Sequence, residues 1–241
     1  MTSEPREALP PNDFVDWLRR EGESRYHDQH PFHRMMHEGK LDKSQLQQWV
    51  LNRYYYQTRI PIKDALILSK SESPHFRRAW IHRIFDHDGA ANGEGGLELW
   101  LRLAQGVGLD RDTVANCGLV LPGVRFACDA YVEFVRERSL VEAVAASLTE
   151  FFAPDLMSQR IAAWEAHYAW VDGSMLEYFR SRVPRARRDS KEAIAYVVEH
   201  AKTYEDQEHC VAALIRKTEI LWHLLDCVQL ACFPQLKDAR A

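Results

Sequence analysis

Apolar residues along this chain recur at helical spacing from end to end, and no run of alternating apolar and polar residues bounded by hairpin turns interrupts them. The pattern predicts an all-α protein. Asp13 is placed to cap a helix through FVDWLRRE, Asp42 with Gln45 has the spacing of a capping box, and Ser73 followed by Pro74 opens another helix. Further helices read as GLELWLRLAQGV, PGVRFACDAYVEFVRER and SLVEAVAASLTEFF, the last breaking near Pro154 before SQRIAAWEAHYAW resumes. SMLEYFRSR and two long stretches, roughly 189 to 205 and 206 to 232, complete the series, with a single continuous helix through the latter two left open. No Gly/Ser/Pro-rich linker or fixed-period repeat divides them, so the expectation is one compact helical domain over 1–241, loose at 1–11 and 234–241.

One helix departs from a core pattern. In NRYYYQTRIPIKDA, residues 52 to 65, Arg53, Tyr56, Gln57, Ile60, Lys63 and Asp64 share a face. A plain core helix carries Leu or Ala there, so this face either meets water or lines a wet pocket. Pro61 lacks an N–H and crowds the carbonyl of Gln57, which predicts a kink beside the polar face.

Composition narrows the classes. The 241 residues are 46% hydrophobic, enough for a sizeable core, and 31 basic against 35 acidic residues leave no global attraction to nucleic acid or an anionic membrane. MTSEPREALPPND has no apolar segment, and LWHLLDCVQLACF is interrupted by His223 and Asp226, so neither export nor membrane insertion is expected and the cytoplasm is. Five cysteines without a C-x-x-C pair read as reduced, mostly buried thiols.

Several stretches hold candidate chemistry. His27, His30, His33 and His37 have spacings that suit a metal, but Pro31 interrupts any helix through them and no H-E-x-x-H motif accompanies them. They read as loop and surface histidines, at most one of them facing a pocket, and no metal site is expected. Glu219, His223 and Asp226 share a helix face without the paired E-x-x-H motifs of a di-iron bundle. GAANGEGG matches no phosphate-binding fingerprint and reads as a flexible connection, and RSRVPRARR as a mostly solvated helix end and loop. Within the latter, Arg182 lies four residues after Tyr178 and so on the same face. Cys128 reads as a buried thiol. His87, in RIFDHDG, ends a helix, where the macrodipole and the flanking Asp86 and Asp88 favour the imidazolium; it is either a cap or an acid/base group.

Taken as an ordered set, RYHDQHPFH, WVLNRYYYQTRIPIKDA, RIFDHDG, LELWLRLAQGVGL, LPGVRFACDAY, SLTEFFAP and YFRSR, followed by the Lys217 helix, resemble the pyrroloquinoline-quinone synthase family across about residues 12 to 233. The resemblance implies a haem-oxygenase-like helical bundle and a homodimer. It also implies a reaction: ring closure and multi-electron oxidation of a reduced bicyclic polycarboxylate by molecular oxygen, giving pyrroloquinoline quinone and hydrogen peroxide with no metal or organic cofactor. By the same resemblance, Arg53, Arg83, Arg160, Arg182 and Lys217 hold carboxylates, while Tyr26, His27, Gln57, Tyr131, Thr149 and Glu150 orient the rings. His87 is the base, and Tyr178 with Arg182 meets reduced oxygen. Met157 departs from the pattern, because the family typically has histidine there and a thioether donates no hydrogen bond. Three other readings remain open: a same-fold non-haem di-iron oxygenase, a thiaminase-like hydrolase using Cys128 with Glu150, and a protein that binds or delivers the quinone with impaired oxidation.

Overall fold

The computed structural model describes residues 6–236, and no strand occurs among them. The chain opens with α1 (Pro11–Glu23), α2 (Pro31–His37) and the long α3 (Lys43–Ser69). Short helices α4 (Pro74–Trp80) and α5 (His82–Asp88) lead into α6 (Gly95–Gly106), α7 (Arg111–Ala115) and α8 (Pro122–Glu137). Helix α9 (Leu140–Ala145) tightens into a 3-10 segment, Ala146–Phe151, before α10 (Ala153–His167), and α11 (Glu177–His200) and α12 (Tyr204–Cys232) close the bundle.

Helix α3 is the central strut. Asp42 accepts from the Gln45 N–H while the Gln45 side chain accepts from the Asp42 N–H, a capping box in which loss of the cap residue costs about 1 kcal/mol. The helix packs against α8, α5 and α6; α12 lies against α8, α1 and the 3-10 segment, and α10 against α11. Indole and phenyl rings fill the centre: Trp49 lies 5.5 Å from Trp100, and Trp164 lies 5.4 Å from Phe179. The indole N–H of Trp100 donates to the Val50 carbonyl at 3.0 Å, so this buried aromatic also satisfies its polar atom.

Local chemistry shifts several boundaries. Pro11, not a residue after Asp13, begins α1, and Asp13 sits inside the first turn, where its charge still suits the helix dipole. The stretch read as a helix through SLVEAVAASLTEFF is α9 followed by 3-10 geometry, which winds the backbone at Thr149 and Glu150 more tightly, with a longer rise per residue, than an α-helix does. SMLEYFRSR and the stretch from 189 join into α11, which runs through Pro184, while Pro61 sits inside α3. GAANGEGG connects α5 to α6, with Gly89, Gly93 and Gly95 all at positive φ. Of the segments expected to be loose, 1–5 and 237–241 lie outside the described residues; Leu9 exchanges both backbone hydrogen bonds with the Gln207 amide on α12, at 2.8 and 3.0 Å.

Candidate active site

The polar face of α3 lines a narrow interior cavity of about 40 Å³. Helix α3 supplies Arg53, Tyr56, Gln57 and Ile60, α5 supplies His87, and α10 and α11 supply Met157 with Arg160 and Tyr178 with Arg182. Thr149 and Glu150 reach it from the 3-10 segment, and Tyr26 and His27 from the segment before α2. Eleven of the fourteen residues singled out from the sequence therefore meet at one cavity. Trp100, Ala153 and Leu221 line it too; the sequence shows them as ordinary core positions and carries no signal that marks them.

Arg83, Tyr131 and Lys217 do not line this cavity but stand behind its wall. The Lys217 ammonium lies 3.3 Å from the Tyr131 ring centroid and 4.3 Å from that of Tyr56, and the Arg53 guanidinium lies 3.9 Å from the same Tyr56 ring. Tyr56 thus carries cation–π contacts from both cations. Arg83 stacks on Trp80 at 3.8 Å and donates to the Asp189 backbone oxygen at 2.5 Å.

Positive charge dominates. Arg53, Arg160 and Arg182 line the cavity, and Glu150 is the acidic residue among its lining. Arg182 donates to Glu150 at 2.9 Å and approaches Asp189 at 3.6 Å. Burial and the neighbouring Arg53 push the Arg160 pKa down to about 9, and the same two causes hold Lys217 well below the usual lysine range. Donor groups on all five cations, Arg53 Nη1, Arg83 Nε, Arg160 Nε, Arg182 Nη1 and Lys217 Nζ, are buried and have no hydrogen-bond partner among the described residues. A site so built is short of negative charge and of acceptors, which a polycarboxylate supplies.

His87 differs from its expected state. Burial first, and the Arg182 guanidinium second, push its pKa down to about 3, so it is neutral without substrate. Asp86 does not raise it because that carboxylate is taken up by Arg185 and Arg188. The His87 Nδ1–H donates to the Arg83 carbonyl at 3.0 Å, which fixes the tautomer and leaves Nε2 as an acceptor. Tyr178 is held protonated by burial and donates to Gln57 Oε1 at 2.7 Å, with its ring edge-on to Trp100 at 4.6 Å.

The histidines before and within α2 are likewise not surface groups: His27, His30 and His33 are buried. His30 meets Asp226 at 3.3 Å, so that member of the Glu219–His223–Asp226 face turns to the segment before α2. Among the described residues no group of three or more His, Cys, Asp or Glu side chains is arranged to hold a metal ion. Cys128 is buried away from the cavity lining, and burial pushes its thiol up to about 12, which leaves little thiolate for a hydrolase nucleophile.

An all-α bundle around a buried, cation-rich cavity defines a helical small-molecule enzyme scaffold, and its fold is haem-oxygenase-like. A Shewanella denitrificans domain of unknown function with a haem-oxygenase-like fold superimposes with a TM-score of 0.74 at 16% identity, covering 97% of each chain. A TenA homologue from P. horikoshii matches with a TM-score of 0.70 at 14% identity, covering 91% of this chain and 98% of that one. Residues 16–227 match the TENA/THI-4/PQQC family, and the chain belongs to it. Within that family it is similar to the pyrroloquinoline-quinone synthase of Ectopseudomonas mendocina, 50% identical over 93% of this chain and 89% of the relative. The synthase of Rhizobium rhizogenes is 52% identical over 89% of this chain and 87% of its own length.

Proposed function

We propose that this chain catalyses the pyrroloquinoline-quinone synthase reaction, the closing of a ring in a reduced bicyclic polycarboxylate and its oxidation by molecular oxygen to the quinone. The observation that carries the reading is the convergence of five buried cations with unpartnered donors on and behind one cavity. Carboxylates of the precursor complete those hydrogen bonds, and their negative charge offsets the repulsion between Arg53, Arg160 and Lys217. The same charge raises the basicity of His87, whose free Nε2 accepts a C–H proton as the ring closes. Each oxidation step then passes two electrons and two protons to oxygen, giving hydrogen peroxide, with Tyr178 and Arg182 stabilising the developing charge.

On this reading the substrate itself is electron-rich enough to meet oxygen, and neither metal nor organic cofactor takes part. The enzyme acts as a homodimer in the cytoplasm; no helix among the described residues is long and apolar enough to cross a membrane. The test is to mix protein and precursor anaerobically, admit oxygen, and follow the quinone spectrum and peroxide. Stoichiometric quinone without added metal is expected. Tight quinone binding with no conversion of precursor would instead make the chain a binding or delivery protein.

A further inference from the structure

His33 on α2 does not line the cavity, yet it is 1% exposed and reaches two of the elements that build it. Its Nδ1 lies 2.9 Å from the His27 carbonyl oxygen. A carbonyl only accepts, so the proton sits on Nδ1, and Nε2 of the neutral ring keeps its lone pair. That lone pair faces Arg160 Nη2 at 3.3 Å. Protonation would turn both ring nitrogens into donors and break this contact; burial and the Arg160 charge keep the His33 pKa well below the usual range.

The other contacts of Arg160 leave a gap that His33 fills. Trp49 at 4.8 Å and Phe179 at 5.4 Å meet the guanidinium through their ring faces, which offer no lone pair to direct its N–H bonds. Nη1 meets the Met157 sulfur at 3.8 Å, a weak acceptor, and Nε has no partner among the described residues. Nη2 meets a nitrogen lone pair. Because Met157 donates nothing, Arg160 is the hydrogen-bond donor next to it, and its direction matters to whatever occupies that side of the cavity.

We propose that His33 is a positioning residue for the reaction, fixing the in-plane orientation of Arg160 and tying it to the backbone of His27; the inference rests on the synthase reading above. His33→Gln and His33→Asn separate this role from simple packing. The Gln amide reaches as far as Nε2 and can accept from Arg160, whereas the Asn amide reaches only as far as Nδ1 and can keep the His27 bond alone. Turnover of the precursor is expected to fall about tenfold to a hundredfold in His33→Asn, the range for a lost hydrogen bond to a charged group, and to recover most of that loss in His33→Gln. In an Arg160→Ala background, His33→Asn is expected to add less than about a twofold loss, because the group it orients is gone. Equal activity of the Gln and Asn variants, or losses that multiply in the Arg160→Ala background, overturns the assignment. Wild-type protein that neither binds the quinone nor converts the precursor overturns the synthase reading and this inference with it.

Discussion

The side chain most particular to this cavity is Met157, which places a thioether beside Arg160 at a position where the family resemblance implies a histidine. If reduced oxygen collects a proton on this side of the site, the oxidative steps are slowed here while ring closure, which depends on His87, is not. Met157→His is therefore expected to raise oxygen consumption and final quinone yield several-fold, with little change in quinone affinity measured by calorimetry. Equal rates of complete oxidation in the two proteins would assign the proton to another group. His87 shows what a sequence hides at this scale. Its flanking aspartates pointed to an imidazolium, but Asp86 turns to Arg185 and Arg188, and burial beside Arg182 decides the protonation state. Residue identity was legible in an ordered set of motifs. Protonation was not, because it depends on neighbours supplied by a distant helix.

At the scale of elements, the polar face of α3 was legible because its period needs no tertiary information, and the face does line the cavity. Helix α11 was not. Pro184 and a dense arginine run are ordinary signs of a helix end, and an interior proline costs about 3 kcal/mol. The run is instead spent on partners: Arg180 on Glu165 at 2.8 Å, Arg182 on Glu150, and Arg185 and Arg188 on Asp86. Tyr178 and Arg182 reach the cavity from the first turns of α11, before Pro184, and continuity through the proline carries the same helix on to the buried Asp189. Burial works against the Asp189 charge, yet Arg83 and Arg182 hold its carboxyl below the usual range. Arg188 bonds the same carboxylate at 2.8 Å, so one anion supports three guanidiniums. Asp189→Asn removes the carboxylate all three share, although Arg182 keeps Glu150 and Arg188 keeps Asp86, and is expected to cost about 3 kcal/mol of stability, the scale for breaking a buried ion pair. A polycarboxylate ligand should restore part of this, so the thermal midpoint is to be measured with and without the quinone. An unchanged midpoint in the ligand-free variant would show that Asp189 does not hold the cations in place.

For the whole molecule, the buried histidines make stability a function of pH. Burial pushes His27, His33 and His87 well below the ordinary histidine value of 6.5, with Arg53, Arg160 and Arg182 respectively adding to the effect. Above that value both folded and unfolded chains hold these rings neutral, and their contribution to stability is fully present. As the pH falls below 6.5 the unfolded chain takes up protons that the folded chain refuses, so stability is lost until the folded pKa is reached, about 3 for His87. Inside that window each such ring withdraws about 1.4 kcal/mol per pH unit. These three rings therefore predict a fall of several kcal/mol between pH 6.5 and 5, while Asp189, held below the usual carboxylate range by Arg83 and Arg182, stays ionised. Urea unfolding at pH 7.5, 6.5, 5.5 and 5.0 reads this directly, with the fold still cooperative at each point. His30 and His37 are pushed down by burial as well and add to the same slope; His33→Gln removes one of these titrations, so the slope of its stability against pH should shrink by about one proton. A wild-type midpoint that stays flat from pH 6.5 to 5.0 would mean that these histidines are hydrated and charged, and the neutral His87 on which the proposed ring closure depends would go with it.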